Sequence, residues 1–491
     1  MTATVERPQS PGPHVGAGLI TDPVPVSPPR RDRGRLPITV PRTVWLAALV
    51  GLGAVLRFWN LGASRLNYDE SFTAMAGRLP VGPLFNYLRI NDSHPPLDYL
   101  LHAPLARAGA SEFWFRTPSV LLSVAALGLF AWWMGSRGRA GVIATALMAV
   151  SSFQIQHARD ARMYAELQFF GIALAVLATA WITRPRRWHA PVLGALVFAG
   201  LLTHVSMFLL AAGLLALPGR RTDRDAWHWR VAIGLGGLGW ALLWGTTFLT
   251  QARGGHSSWI PPTSIATLST ALGRLVTFEP ALAVVATVAT VAGGMVIRRR
   301  DPVLTRVWIA CFAVPIGLAA VAGLFAPVVL DRTFTLMAWA PLVAVAFVID
   351  ALLRRRAALG AFALVAIFVV IVPSTLHTMQ TPTGPDTPLR ALARLAKPGD
   401  IVAVRPASKA PEIAWSLGVR GGSSTQRVVV PGFPKAFGIR VGTAATSGRT
   451  WLLDWKGVRT ARGGPASAAA PCAPQWSWGK TRIRCLQHSP V

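Results

Sequence analysis

Apolar runs long enough to cross a lipid bilayer recur along the chain from residue 43, and nearly every one is closed by a short arginine-rich break. That spacing leaves a bundle of membrane-spanning helices as the fold to expect. The runs read at 43–59, 117–135, 140–156, 165–183, 190–203, 205–218, 231–249, 280–297, 305–325, 333–350 and 357–373, about eleven helices in all. With 52% of its residues hydrophobic and 14% charged, the chain is a multi-pass α-helical membrane protein. Its formal charge of +29 would suit a nucleic-acid binder, but the arginines fall in clusters at span ends and form no continuous face. We therefore expect no nucleic-acid partner and a plasma-membrane location within the lipid bilayer.

Alternation of the spans puts Arg30, Arg31, Arg33, Arg35 and Arg42 on one side with Arg137 and Arg139, and with Arg184, Arg186 and Arg187. Arg220, Arg221, Arg224 and Arg230, then Arg298 to Arg300 and Arg354 to Arg356, fall on that same side, which makes the N-terminus cytoplasmic. The stretch 190–218 must then be a hairpin of two short helices, since a single helix would divide the arginine clusters between the two sides. An odd number of spans sends the chain beyond about residue 374 to the exterior. Residues 1–40, rich in Pro, Arg and Ser, read as a disordered cytoplasmic tail, and 41–375 as the transmembrane domain. From 381 to 491, short strand-like runs (401–404, 427–430, 451–453), Gly/Pro turns and one helix at 388–396 indicate a small α/β or β-rich extracytoplasmic domain. It holds all the lysines of the chain. In an oxidising compartment Cys472 and Cys485 are expected to pair, leaving Cys311 as a small core residue inside a span.

This topology sends a set of polar residues to one face. Asp69, Glu70, Asp92 and His94 lie in an exterior loop at about 60–114, Arg159, Asp160, Arg162 and Tyr164 at the next exterior turn, and His204 at the third. Gln251 to Trp259 and Asp331-Arg332 fall there too. Each has a plainer reading: Asp69-Glu70 as a solvated helix start, the arginines as snorkelling anchors, His204 as a satisfied core histidine, Asn91-Asp92-Ser93 as a chance glycan sequon. Their co-location is what favours a site able to bind a phosphate and move a proton. Within the loop, Leu84, Phe85, Tyr87, Leu88 and Ile90 give 81–90 the pattern of an amphipathic helix lying in the membrane interface. His94-Pro95-Pro96 then breaks it, because proline fixes φ and bars the preceding residue from the α conformation.

Asp69-Glu70 after the first span, His94-Pro95-Pro96-Leu97, Phe115-Arg116-Thr117-Pro118-Ser119 and Arg159-Asp160-Ala161-Arg162-Met163-Tyr164 together resemble polytopic glycosyltransferases of the C-type fold. The chain is similar in particular to protein O-mannosyltransferases and bacterial lipid A aminoarabinose transferases, over roughly 40–350 and most strongly over 66–166. The resemblance implies transfer of a sugar from a polyprenyl-phosphate carrier to an exterior acceptor: protein, lipid or cell-wall glycan. It implies Asp69 as general base with Glu70 helping to hold the site, and Asp92, His94, Arg159, Asp160, Arg162, Tyr164 and Arg332 as acceptor or phosphate contacts. No cofactor is certain, but His94 and His204 stand at positions implied to hold a divalent metal. Where many relatives carry Arg-Tyr near the start of a late span, this chain reads Asp331-Arg332-Thr333-Phe334. The competing reading, a transporter or lipid flippase, suits intramembrane polar residues but lacks an internal repeat.

Overall fold

The structure is a computed structural model that describes residues 41–217, 223–253, 260–276, 282–380, 392, 395, 401–405, 449–454, 470–478 and 481–487. The chain begins with α1 (Arg42–Phe58), followed by three short helices, α2 (Tyr68–Gly77), α3 (Val81–Asn91) and α4 (Leu97–Arg107). Next come α5 (Glu112–Gly135), α6 (Gly138–Val150), α7 (Ser152–Ala158), α8 (Tyr164–Thr183), α9 (His189–Thr203) and α10 (Met207–Leu215). Helix α11 (Asp223–Trp240) runs through a π turn into α12 (Thr246–Arg253), and α13 (Ile265–Arg274) and α14 (Ala283–Arg300) follow. A second π turn joins α15 (Pro302–Trp308) to α16 (Val314–Ala322), and a 3-10 turn (Asp331–Met337) precedes α17 (Trp339–Arg355) and α18 (Ala357–Gln380).

Helices thus occupy each of the eleven expected stretches. Among the described residues five are long and apolar enough to cross a membrane, or seven if two bent pairs each count as one span. The others are shorter, as α1, α9 and α10 are, or end in a run of arginines, as α14 does. Exposed tryptophans mark both ends of the bundle: Trp59 and Trp114 at one, Trp45 and Trp132 at the other. At the Trp132 end Asp350 is buried and accepts from Arg139 (2.7 Å), Arg300 (2.9 Å) and Arg354 (2.8 Å), while Arg137 pairs with Asp301 at 3.0 Å. Several span-end arginines therefore join helices as well as marking a side of the membrane.

Two helix breaks shape the other end. Helices α6 and α7 meet at 51° at Ser151, and the 3-10 turn meets α17 at 68°. A break inside a membrane releases backbone carbonyls that have no water to turn to. At Ser151 three of these carbonyls are met: Arg57 donates to Met148 O (3.3 Å) and Ala149 O (3.1 Å), and Thr375 Oγ1 donates to Val150 O (2.6 Å). Ser151 Oγ in turn accepts from Gln154 N, starting α7. The fully buried Arg57 thus needs no acid; its positive charge sits at the negative end of the α6 dipole. The second break is held by close approach: a Cβ on Gly171 of α8 would lie 1.7 Å from Leu336 O, so only glycine lets α8 touch that turn.

Of the short helices, α3 corrects the sequence reading. Leu84, Tyr87 and Leu88 are buried in the protein, with Tyr87 against Phe72 and Phe85 against Trp244, and only Val81 and Ile90 of its apolar residues are strongly exposed. Its apolar face completes the protein core in place of the membrane interface, because the 3.6-residue period aligns 84 and 88 toward Phe72. The C-terminal strands β1 (Ile401–Arg405), β2 (Arg449–Asp454), β3 (Ala470–Trp478) and β4 (Thr481–Gln487) form one sheet in the order β1-β2-β4-β3. The β1/β2 pair is parallel and the rest antiparallel. The expected strands at 401–404 and 451–453 are present; that at 427–430, most of the helix at 388–396 and the tail 1–40 lie outside the described residues. Cys485 is disulfide-bonded and Cys311 is free and buried, while the Cys472 side chain lies outside the described residues.

Replacing Arg57 by Met keeps the stem but orphans two buried carbonyls, at a cost of about 1–3 kcal/mol each. Thermal unfolding in detergent should show Arg57→Met clearly less stable, with Thr375→Val milder; unchanged melting would refute this account of the break.

Candidate functional site

Helix α2 starts with a capping box in which Asn67 Oδ1 accepts from Glu70 N and Glu70 Oε2 accepts from Asn67 N, both at 2.9 Å. The Glu70 carboxylate is fully buried and takes a bidentate fork from Arg116 of α5, Nε to Oε1 at 2.6 Å and Nη2 to Oε2 at 2.8 Å. The backbone N–H of Ala161 donates to Oε1 at 3.0 Å. Arg116 spends its other donors on Leu61 O and Ser64 O (both 2.9 Å) and Arg65 O (3.0 Å). One ion pair therefore clamps the end of the first span, the start of α2, α5 and the 159–163 turn.

Asp69, next to Glu70, is placed differently. It lies in the first turn of α2, half-buried, and its carboxylate has no hydrogen-bond partner among the described residues, while its backbone carbonyl receives Arg162 Nη1 at 3.5 Å. Arg162 is buried and also donates to Thr73 Oγ1 (2.9 Å) and Tyr99 Oη (3.1 Å). Burial alone would lower its pKa, but Tyr99, Asp69, Asp92 and Asp98 outweigh burial and keep the guanidinium charged.

Asp92 organises the far side of Arg162. It accepts from Ser93 N (2.7 Å), from His94 Nδ1 (2.9 Å) and from the Tyr99 hydroxyl. Burial works to raise this carboxyl, yet His94, Arg162 and Tyr99 hold it well below the usual carboxylate range. Gln251 of α12 fixes the turn by donating to Leu88 O and Asp92 O. A carboxylate on Nδ1 leaves the His94 lone pair on Nε2, and the His204 ring lies with its centroid 5.5 Å from that of His94.

His204 faces His94 across the site. Its Nδ1 accepts from Ser206 N at 3.0 Å, and burial, then His94 and Arg162, push its pKa down to about 3, so the ring is neutral with its proton on Nε2. Two imidazoles are half a tetrahedral shell, and among the described residues no group of three His, Cys, Asp or Glu could hold a metal ion.

The third group surrounds the 157–164 turn. Arg159 Nη2 reaches Asn60 O at 3.4 Å and its Nη1 is buried without a partner. Burial, reinforced by Glu70 and opposed by Arg116, pushes Asp160 up to about 7. Tyr164 Oη accepts from Arg332 Nη1 at 3.3 Å, and Asp331 is tied to Arg274 at 3.0 Å. The structure thus brings Asp92, His94, His204 and Arg162 together beside Asp69, sets Arg159 and Asp160 against the Glu70–Arg116 clamp, and joins Tyr164 to Arg332. Sequence reading left out Tyr99 and Thr73, and placed Gln251 on the same face without a role. Arg116 lay inside a quoted motif without a role, its signal being an arginine facing a buried glutamate.

Among solved structures, ArnT from Cupriavidus metallidurans in the apo state aligns over 91% of this chain and 99% of that chain, with a TM-score of 0.57 and 13% identity. ArnT bound to undecaprenyl phosphate aligns over 91% and 100% with a TM-score of 0.47 and 16% identity. The protein O-mannosyltransferase Pmt1-Pmt2 complex of S. cerevisiae, bound to the sugar donor, aligns over 46% and 36% with a TM-score of 0.34 and 17% identity. No family model and no curated protein matches by sequence. The first alignment shows a shared fold, the polytopic C-type fold that the motifs led us to expect.

Arg116→Leu leaves Glu70 as an unpaired buried charge, at about 3–5 kcal/mol, and should unfold or strongly destabilise the protein; a melting temperature close to wild type would contradict the clamp. For Asp160, a folded-state pKa raised to about 7 from 3.8 means that stability falls as pH rises between those values. Asp160→Asn should flatten that fall, read as melting temperature against pH in detergent.

Proposed function

We propose that the chain is a membrane glycosyltransferase that moves a sugar from a polyprenyl-phosphate carrier to an acceptor hydroxyl on the extracytoplasmic face. In this reading 41–375 is the transferase domain, 381–491 is an extracytoplasmic domain in which Cys472 pairs with Cys485, and the N-terminus is cytoplasmic. Asp69 takes the proton of the acceptor hydroxyl as its oxygen attacks the anomeric carbon. The bond from that carbon to the phosphate oxygen breaks, and its electrons leave with the polyprenyl phosphate. A carboxylate suffices near neutral pH because the proton departs only as the new bond forms. Arg159, Arg162 and Arg332 hold the phosphate charge, and Tyr164 supplies the aromatic hydroxyl beside Arg332 that the Asp331-Arg332-Thr333-Phe334 run lacks.

The observation that carries this reading is the contrast between adjacent carboxylates. Glu70 has its oxygens filled by Arg116, Ala161 and Asn67, whereas the half-buried Asp69 carboxylate has no hydrogen-bond partner among the described residues and its backbone touches the buried Arg162. A merely structural acid pair would have both satisfied. A flippase offers no reason for a carboxylate without a hydrogen bond beside a buried arginine.

The test is transfer from a panel of labelled polyprenyl-phosphate sugars by purified protein, with wild type beside Asp69→Asn. Asp69→Asn should keep the fold and lose on the order of 10²–10⁴ in rate. Wild-type rates in the Asn variant would remove Asp69 as base. Carrier movement across vesicles without sugar transfer would favour the flippase.

A further inference from the structure

His157 lies in the last turn of α7, 7% exposed, and neither ring nitrogen has a hydrogen-bond partner among the described residues. A neutral imidazole carries one N–H and one lone pair, and burying both unmet is costly. The ring is nonetheless held firmly: edge-on to Phe153 with centroids 4.4 Å apart, and tilted against Tyr164 at 4.6 Å. It is a placed imidazole with unused polar atoms, as a binding group is before its ligand arrives.

The surroundings say what that ligand is. Tyr164 Oη receives Arg332 Nη1, so an imidazole, a phenol and a guanidinium adjoin. Asp331 and Arg332 are the charges that act on the ring, and Asp331 is already paired with Arg274. Arg159, two residues on, faces Asn60 and Glu70 and adds no contact to the ring. An unmet ring N–H beside the Arg332 guanidinium suits an anionic oxygen. Asp160 Oδ2 stands 3.9 Å from His157 Nδ1, just beyond hydrogen-bond reach.

We propose that His157 binds the phosphate of the carrier, its Nε2–H donating to a non-bridging phosphate oxygen beside Arg332 while Nδ1 faces Asp160. The proposal rests on the transferase reading above. With its pKa pushed up to about 7, the Asp160 carboxyl is still partly protonated near neutral pH. On closer approach in the bound state its O–H donates to Nδ1, which leaves the ring proton on Nε2, where the phosphate accepts it.

The experiment is equilibrium binding of a short-chain polyprenyl phosphate and of the matching polyprenol to the full chain in detergent. Wild type is compared with His157→Phe, which keeps the ring packing without nitrogens, and with His157→Gln, which keeps a donor. We expect the phosphate dissociation constant to rise about tenfold or more in His157→Phe, and less in His157→Gln, with polyprenol binding unchanged. Equal phosphate affinity in wild type and His157→Phe overturns the assignment and leaves the transferase reading standing. A loss shared by the polyprenol marks a packing defect and also overturns it. A wild type that fails to prefer the phosphate over the alcohol brings down both readings. His157→Leu serves the same comparison if the Phe variant does not fold.

Discussion

The buried ion pair between Glu70 and Arg116 is the constraint on which the site depends. Moving two charges out of water is expensive, and the pair is tolerable only because every strong acceptor and donor on it is used. Those bonds reach three backbone carbonyls after the first span, the start of α2 and the N–H of Ala161. The loop carrying Asp69 and the turn carrying Arg159, Asp160 and Arg162 are thereby held in one geometry. Satisfying Glu70 so completely also divides the work of two adjacent carboxylates. One becomes a fastening, and the other is left without a hydrogen bond beside a buried arginine.

The bilayer imposes the second organising principle. Non-helical backbone at membrane depth is tolerated only where its carbonyls find donors, and both bent helix pairs adjoin segments that carry candidate site residues. The Ser151 break, sealed by Arg57 and Thr375, aims α7 toward His157 and the 159–162 turn. The 68° break before α17 presents Arg332 to Tyr164, with Gly171 allowing α8 to lie against it. At the opposite end of α17, three arginines converge on Asp350 and hold the helix from below. Ion pairs tie the helices at one end of the bundle, and the helix breaks lie at the other, where the candidate site residues collect.

Electrostatics within the site follow from crowding. Arg162 stays charged because four acidic or phenolic groups surround it, Asp92 stays ionised because His94 and Arg162 face it, and Asp160 retains a proton because Glu70 and burial act against its charge. Neighbouring carboxylates thus take different protonation states in one small volume. The neutral His204 belongs to the same pattern, since burial and nearby cations leave no room for another positive charge.

The amino-acid sequence alone determined the helical membrane class and the positions of the eleven helical stretches, because apolar length and arginine spacing answer directly to bilayer thickness. Two of the C-terminal strands, at 401–404 and 451–453, were legible from short apolar runs between turn residues, whereas β3 and β4 carry too little alternation to stand out. Tertiary structure alone decided the difference between Asp69 and Glu70, the inward turn of the apolar face of α3, the roles of Arg57 and Arg116, and the stranded nitrogens of His157. For Glu70, Arg116 and Arg57 the partner lies on another element, tens of residues away in the chain. Local pattern reports which residues are polar or apolar; which of them find each other depends on how the helices break and pack.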